Sequence, residues 1–263
     1  MRKLFLLPAL LLLLEATPAL SLSDSPYLAR GAFDAVNLLP PPPEPNSAEQ
    51  RRDVDGVLQA QRTSTAERMR LAEADAKVDL TRFVDVLGPN FVPDRMPTLL
   101  AFFRKVARDT GMVVGIAKDC WERPRPFLAD AQIHPPGQMQ QETAIRPGTV
   151  VENTAPHDAI SPCRAVEPTP AFSYSYPSGH STYGAMSAIL LANMVPEKRR
   201  EIFARGWDYG WSRVVGGVHF PTDVESGRIE ATAMAALMMQ NADFRADLAA
   251  ARAELRRSLG LSQ

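Results

Sequence analysis

The stretch MPTLLAFFRKVARDTGMVVGIA, residues 96–117, decides the fold. Its apolar residues Leu99, Leu100, Phe102, Phe103, Val106, Val113 and Val114 recur at helical spacing and share one broad side of an α-helix. A helix with so wide an apolar face has to be buried among others, so these side chains read as core rather than as a cofactor box. Outward from it, the same spacing predicts helices over 47–61, over 64–76 behind a Ser64/Glu67 capping box, and over 80–87. Further helices are predicted over 178–195, 197–215, 222–240 and 242–259. Strand-like alternation is almost absent, and no internal repeat occurs at solenoid spacing. The expected fold class is all-α, a multi-helix bundle in a single domain.

At 263 residues the chain is long enough for a substantial core. With 29 basic against 30 acidic residues there is no electrostatic footprint for nucleic acid or an anionic membrane, so any anion site is local. Residues 1–21, MRKLFLLPALLLLLEATPALS, read as a signal peptide cleaved after Ala19 or Ser21. Its apolar run is about half of the roughly 20 residues that a spanning helix needs. No later segment is long and apolar enough to span, so the mature chain is expected to be periplasmic or secreted, with no membrane contact after signal cleavage. Residues 22–46 form a Pro-rich N-terminal strap, with LLPPPPEPN at 38–46 favouring an extended polyproline conformation, and 47–263 form the helical domain.

Three stretches carry candidate chemistry. In SRVVGGVHFPTD, residues 212–223, Arg213 offers a planar fork matched to phosphate or carboxylate oxygens. Gly216 and Gly217 break the helix before it, Pro221 opens the next, and His219 falls on the connection with Asp223 four residues on, placed to orient one imidazole nitrogen. In KDCWERPRP, residues 118–126, Lys118 ends a buried helix and Arg125 follows a turn. In PSGH, residues 177–180, Ser178 is a good N-cap and Gly179 lets a ligand approach the free N–H groups of a helix start, with His180 at the rim. Each stretch alone equally suits a capped or solvated helix end. Together they supply three cations, two neutral donors and two histidines, a set suited to phosphoryl transfer without a metal or other cofactor. The segment between Pro126 and Pro177 has no sustained period and reads as a long loop, with His134 and His157 as ordinary loop histidines.

Lys118, six residues, Arg125-Pro126; then PSGH; then Ser212-Arg213, five residues, His219, three residues and Asp223: this order resembles the signature of the type 2 phosphatidic acid phosphatase superfamily. The proline run, the stretch TSTAERMRLAEADA at 63–76 and the leader resemble the exported class A bacterial nonspecific acid phosphatases. Trp121, where a tyrosine is expected, and the long 127–176 loop depart from that class. The resemblance implies a single all-α domain of the type 2 phosphatidic acid phosphatase and vanadium haloperoxidase type. It implies hydrolysis of small phosphomonoesters such as nucleotides, sugar phosphates and aryl phosphates, without metal. His219, oriented by Asp223, would attack phosphorus to give a phosphohistidine, and His180 would protonate the leaving alcohol. Lys118, Arg125, Ser178, Gly179 and Arg213 would hold the phosphoryl oxygens. Members of that class are often homo-oligomers, so self-association is an expectation of the resemblance alone. Vanadium haloperoxidases resemble the chain only around the motifs, and a noncatalytic anion binder would need the cations but neither histidine.

Cys120 and Cys163 are the only cysteines, and in an exported protein an even pair favours a disulfide over two buried thiols. Closing that loop would stabilise the fold by about 4 kcal/mol in the chain-entropy model, less any strain. Thiol titration of denatured, unreduced protein is expected to count no free sulfhydryl; a count of two per chain would exclude the bond.

Overall fold

The computed structural model describes residues 26–28, 31–144 and 173–262. The leader, His157 and Cys163, and with Cys163 the expected disulfide, lie outside the described residues. The chain is all-α: among the described residues there is no β-strand. The longer helices are α1 (Ala48–Thr63), α2 (Ala66–Ala74), α3 (Pro97–Trp121), α4 (Gly179–Met194), α5 (Arg199–Val215), α6 (Pro221–Met238) and α7 (Ala242–Leu259). Their starts carry the expected chemistry: Ser47, Thr65, Ser178 and Asn241 cap α1, α2, α4 and α7 through their side-chain oxygens. Pro97 and Pro221 occupy the first turns of α3 and α6, where a missing N–H costs nothing.

Three local features differ from the sequence expectation. The cap of α2 is Thr65, whose hydroxyl accepts from Arg68 N at 3.1 Å. Ser64 instead donates to the Ala60 carbonyl at 2.7 Å, one turn back along α1, so the adjacent hydroxyls serve different helices. Helix α3 continues past Ala117 to Trp121 and stops at Glu122, which is left-handed with φ 46°. Lys118 therefore stands in its last turn. The segment after Pro126 is also more structured than its composition suggests, with short helices at Pro126–Ala129 and Gly137–Thr143, Ile133 buried between them and Met139 buried on the second.

Helix α4 is the axis of the bundle. Met186, Ala188, Leu190, Leu191 and Met194 are buried around its circumference, as a helix surrounded by others requires. Helices α5 and α6 lie against it on one side and α3 and α7 on another, while α1 and α2 cover α5. The contact between α4 and α5 is backbone to backbone. A methyl group on Gly206 would stand 2.5 Å from the Ala188 Cβ and 2.8 Å from the Gly184 carbonyl. Helix α6 is pressed equally close to the start of α4, since a Cβ on Gly227 would meet the Ser178 carbonyl at 2.6 Å.

Part of the Pro-rich segment belongs to the same core. Tyr27 is buried, donates from its backbone N to Asp109 of α3 at 3.0 Å and from its hydroxyl to Asp247 of α7 at 2.6 Å, and sets its ring edge-on to Phe244. Leu39 is buried too, and Tyr176, just before α4, donates to the Pro40 carbonyl. No helix among the described residues is long and apolar enough to cross a membrane.

Two glycine-to-alanine changes should separate packing from propensity. Gly227→Ala forces α6 away from α4 and is expected to lower stability by about 1–3 kcal/mol. Gly111→Ala, in α3 where a methyl group meets nothing within 4 Å, is expected to raise it by about 0.5–1 kcal/mol. Urea unfolding of both variants reads the opposite signs.

Candidate active site

The 212–223 stretch folds into a helix stop, a reversal and a helix start. Helix α5 ends at Val215, Gly216 caps it, and Gly217 takes φ +69°, a left-handed conformation that a side chain would oppose. A Cβ there would also meet Gln61 Nε2 at 2.7 Å. The turn is closed by Val218 N and His219 N, both donating to the Arg213 carbonyl at 3.1 and 3.2 Å. This fold-back puts the His219 ring beside the Arg213 helix end and buries it. Asp223 Oδ2 accepts from Phe220 N at 2.8 Å, which caps α6, and lies 3.3 Å from His219 Nδ1.

The partners fix which nitrogen of each histidine carries a proton. His219 Nε2 lies 2.8 Å from an Arg125 guanidinium N–H, and guanidinium only donates, so Nε2 holds a lone pair and Nδ1–H faces Asp223. His180 Nε2 lies 2.7 Å from the Ala76 carbonyl, which only accepts, so Nε2–H is the donor and Nδ1 is left with the lone pair. The His180 ring stacks on Tyr209, whose hydroxyl is tied to the Lys77 carbonyl. The two imidazoles are thus opposite tautomers.

Lys118, Arg125 and Arg213 converge on these histidines. Burial, followed by the charge of Arg125, pushes the Lys118 ammonium well below its ordinary value. Burial and then Arg213 press Arg125 down to about 9, which leaves it cationic at neutral and acid pH. Burial, followed by Arg125, Lys118 and Arg213, pushes His219 well below the usual imidazole range. His180 is driven the same way by burial and then by Arg213, against the opposing Ala76 hydrogen bond. Lys118 donates to the Tyr174 carbonyl, and Arg125 to the Ser173 carbonyl and hydroxyl, each at 2.7 Å, and to the Val218 carbonyl at 2.8 Å. Arg213 differs. It is 1% exposed, gives Nη2 to Glu142 at 3.2 Å, and has no partner for Nε and Nη1 among the described residues. Ser178 and Gly179 open α4 beside this group, with Ser178 N donating to the Asp223 carbonyl at 3.0 Å.

The structure therefore brings together Lys118, Arg125, Ser178, Gly179, His180, Arg213, His219 and Asp223. His134 stands apart, its backbone paired with Gln61. Ser212, beside Arg213, turns away to donate to Asp75 at 2.7 Å. Two participants escape the sequence reading. Glu142 comes from the segment without periodicity. Arg123 lies inside the KDCWERPRP stretch but engages a different set of groups from Arg125, across the one-residue Pro124 spacer. It is buried, stacks 4.0 Å over the Phe220 ring, and grips Asp223 at 2.5 Å, Asp53 and Gln50 at 2.7 Å and Thr222 at 2.8 Å. Its signal in sequence is the arginine pair flanking Pro124, which offers two fans of donors with no means of telling which faces inward. Trp121 meets the ring of Tyr176 edge-on, with centroids 4.9 Å apart.

A helical bundle that gathers two histidines, His219 buried and His180 half-buried, with three cations at the start of its central helix forms a positively charged cluster whose chemistry suits an anion. Residues 99–247 match the PAP2 superfamily model, and the chain belongs to that superfamily. It is 29% identical over 229 residues to an acid phosphatase of Zymomonas mobilis, an alignment covering 86% of this chain and 76% of the relative. It is also 28% identical to non-specific acid phosphatases of Salmonella typhimurium (82% of this chain, 78% of the relative) and Providencia stuartii (85% and 81%).

Removing Arg123 leaves two buried carboxylates without their shared counter-charge. Arg123→Met is expected to cost about 3–5 kcal/mol in chemical unfolding, with Arg123→Lys intermediate because an ammonium cannot span both acids. A change below 1 kcal/mol for Arg123→Met would show that the bridge contributes little.

Proposed function

We propose that this protein is an exported, metal-independent acid phosphatase that hydrolyses small phosphomonoesters through a phosphohistidine. The observation that carries the reading is Arg213, a buried guanidinium with Nε and Nη1 unpartnered among the described residues, adjoining two histidines of opposite tautomer. Such a fork suits two phosphoryl oxygens, and a dianion among three crowded cations relieves their repulsion. The names of the relatives, acid phosphatase and non-specific acid phosphatase, point the same way. Export rests on the leader at residues 1–21.

In the proposed cycle the His219 Nε2 lone pair attacks phosphorus as the bond to the ester oxygen breaks. Asp223 accepts from Nδ1–H and stabilises the charge that develops on the ring. The leaving oxygen takes a proton from His180 Nδ1. That nitrogen then removes a proton from water, whose oxygen attacks phosphorus and breaks the P–N bond, releasing phosphate and restoring His219. Arg125 must yield its hydrogen bond to Nε2 as the phosphoryl group enters, and its N–H is then free for a phosphoryl oxygen. Lys118, Ser178 and Gly179 complete the cradle. Since burial and the cations push His180 towards its neutral form, the charge of the bound substrate is what makes its protonation favourable.

The sign for His219 is clear. Its neutral form is the nucleophile, and its depressed pKa moves the acid limit of kcat/KM below the ordinary imidazole value of about 6.5. With p-nitrophenyl phosphate the wild type is expected to stay active into that acid range, with or without chelator. His219→Ala is expected to lose at least about a thousandfold in turnover. Labelled substrate quenched in denaturant should leave label on the wild type and none on His219→Ala. Near-normal turnover of that variant would overturn the mechanism.

A further inference from the structure

Glu230 is a buried carboxyl that the proposed cycle does not use. It lies on α6 one turn beyond Gly227 and is fully shielded from solvent. Asp223, Val224, Gly227 and Glu230 line the face of α6 that docks on the first turn of α4. The Asp223 carbonyl accepts from Ser178 N at 3.0 Å, and the Val224 carbonyl accepts from the Ser181 hydroxyl at 2.6 Å. Glu230 Oε2 lies 2.7 Å from Thr182 Oγ1, and Oε1 has no partner among the described residues.

The proton inventory of this corner is decisive. Thr182 Oγ1 is also 3.1 Å from the Ser178 carbonyl, the cap residue of the turn that carries Gly179 and His180. A hydroxyl has one proton, and a carbonyl only accepts. Were Glu230 ionised, both neighbours of Thr182 would compete for that proton, and a carboxylate with a single hydrogen bond would be sealed from water. A protonated Glu230 satisfies both contacts of Thr182: its O–H donates to the Thr182 hydroxyl, and Thr182 donates to the Ser178 carbonyl. The groups facing Glu230 from other elements are Thr182 of α4, the Lys118 ammonium of α3 and the Tyr176 phenol before α4.

We propose that Glu230 is a neutral positioning acid whose proton, relayed through Thr182, holds the Ser178–Gly179–His180 turn in its working shape, and that ionisation of Glu230 limits activity on the alkaline side. The proposal rests on reading that turn as part of the phosphate cradle. Burial, the leading influence, raises this carboxyl to about 7 against the smaller opposing pull of Thr182 and Lys118. Between the ordinary glutamate value and about 7 the folded protein holds a proton that the unfolded chain has lost, so stability falls as pH rises through that window. Once Glu230 is charged it draws the Thr182 hydroxyl proton more strongly than the Ser178 carbonyl does, and the turn loses that side-chain brace, keeping only the Thr182 N bond to the same carbonyl at 2.9 Å.

Glu230→Gln reproduces the neutral donor, and it should retain wild-type kcat/KM on p-nitrophenyl phosphate at about pH 5 while remaining flat where the wild type declines, around pH 7. The ratio of the two profiles cancels the ionisation of substrate and histidines. Glu230→Ala should lose tenfold or more at every pH. On unmodified protein, carbon NMR of selectively labelled glutamate carboxyls should show one resonance titrating near 7, apart from the others. Superimposable wild-type and Glu230→Gln profiles, or glutamates that all titrate in the ordinary range, would overturn the proposal. The NMR result does not depend on turnover, so an inactive wild-type enzyme would count against the phosphatase reading and not against the buried acid.

Discussion

Positive charge held out of water is the constraint that shapes this protein. Lys118, Arg125 and Arg213 are all depressed first by burial, and Arg125 and Lys118 also by the charge of a neighbouring guanidinium. Without compensation such an arrangement costs several kcal/mol per ion. The fold supplies compensation mostly as neutral carbonyls: Tyr174, Ser173 and Val218 take the hydrogen bonds of Lys118 and Arg125. Dipoles stabilise a cation without neutralising it. The pocket therefore keeps a net attraction for an anion, which a full set of carboxylate partners would have cancelled.

The carboxylates that could have cancelled it are held one layer back. Asp223 is turned towards His219 Nδ1 and the Phe220 amide, with its other oxygen clamped by Arg123. Asp53 takes the far side of the same guanidinium. Asp75 is engaged by Arg82, Arg205 and Ser212 behind the helix that carries Arg213. Arg123 and Arg205 act as spacers that let acidic residues brace the site without facing it. Glu142 is the exception, reaching Arg213 from the front. Its position marks where an incoming anion would have to compete.

Much of this was legible in the chain. The 3.6-residue spacing of 96–117 and of the later segments specifies helices whose apolar faces can be satisfied only in a bundle. A cap residue followed by glycine at 178–179 and a double glycine at 216–217 fix where two helices begin and end, and that places His180 and His219. The i, i+4 spacing of His219 and Asp223 sets the histidine just ahead of the cap of α6 and the acid in its first turn. What stayed hidden depends on tertiary contact. Nothing in the spacing distinguishes Arg123 from Arg125 as the guanidinium that faces inward. Glu142 lies in a segment whose short helix follows from the burial of Met139, not from periodicity. Ser64 and Thr65 are equally good caps until the course of α1 assigns each its own partner. Glu230 sits among alanines and methionines, where a lone acid on a buried face is the only signal, and without the Ser178 contact that signal has no direction.

The assignment of chemical roles to the two histidines depends on features that sequence does not encode locally. His219 is buried and His180 half-buried, both lie among the same cations, and both are pushed towards the neutral form. Environment alone would make them equivalent. They differ in what touches Nε2: a guanidinium at His219 and a main-chain carbonyl at His180. The first partner can only give a proton, so it leaves His219 a lone pair at Nε2. The second can only take one, so it fixes the proton of His180 at Nε2 and turns Nδ1 into the site of exchange. In the proposed reaction that difference separates nucleophile from acid. The Ala76 carbonyl, at the end of the α2 segment and remote in sequence from either motif, is then as much a determinant of mechanism as the histidine it holds.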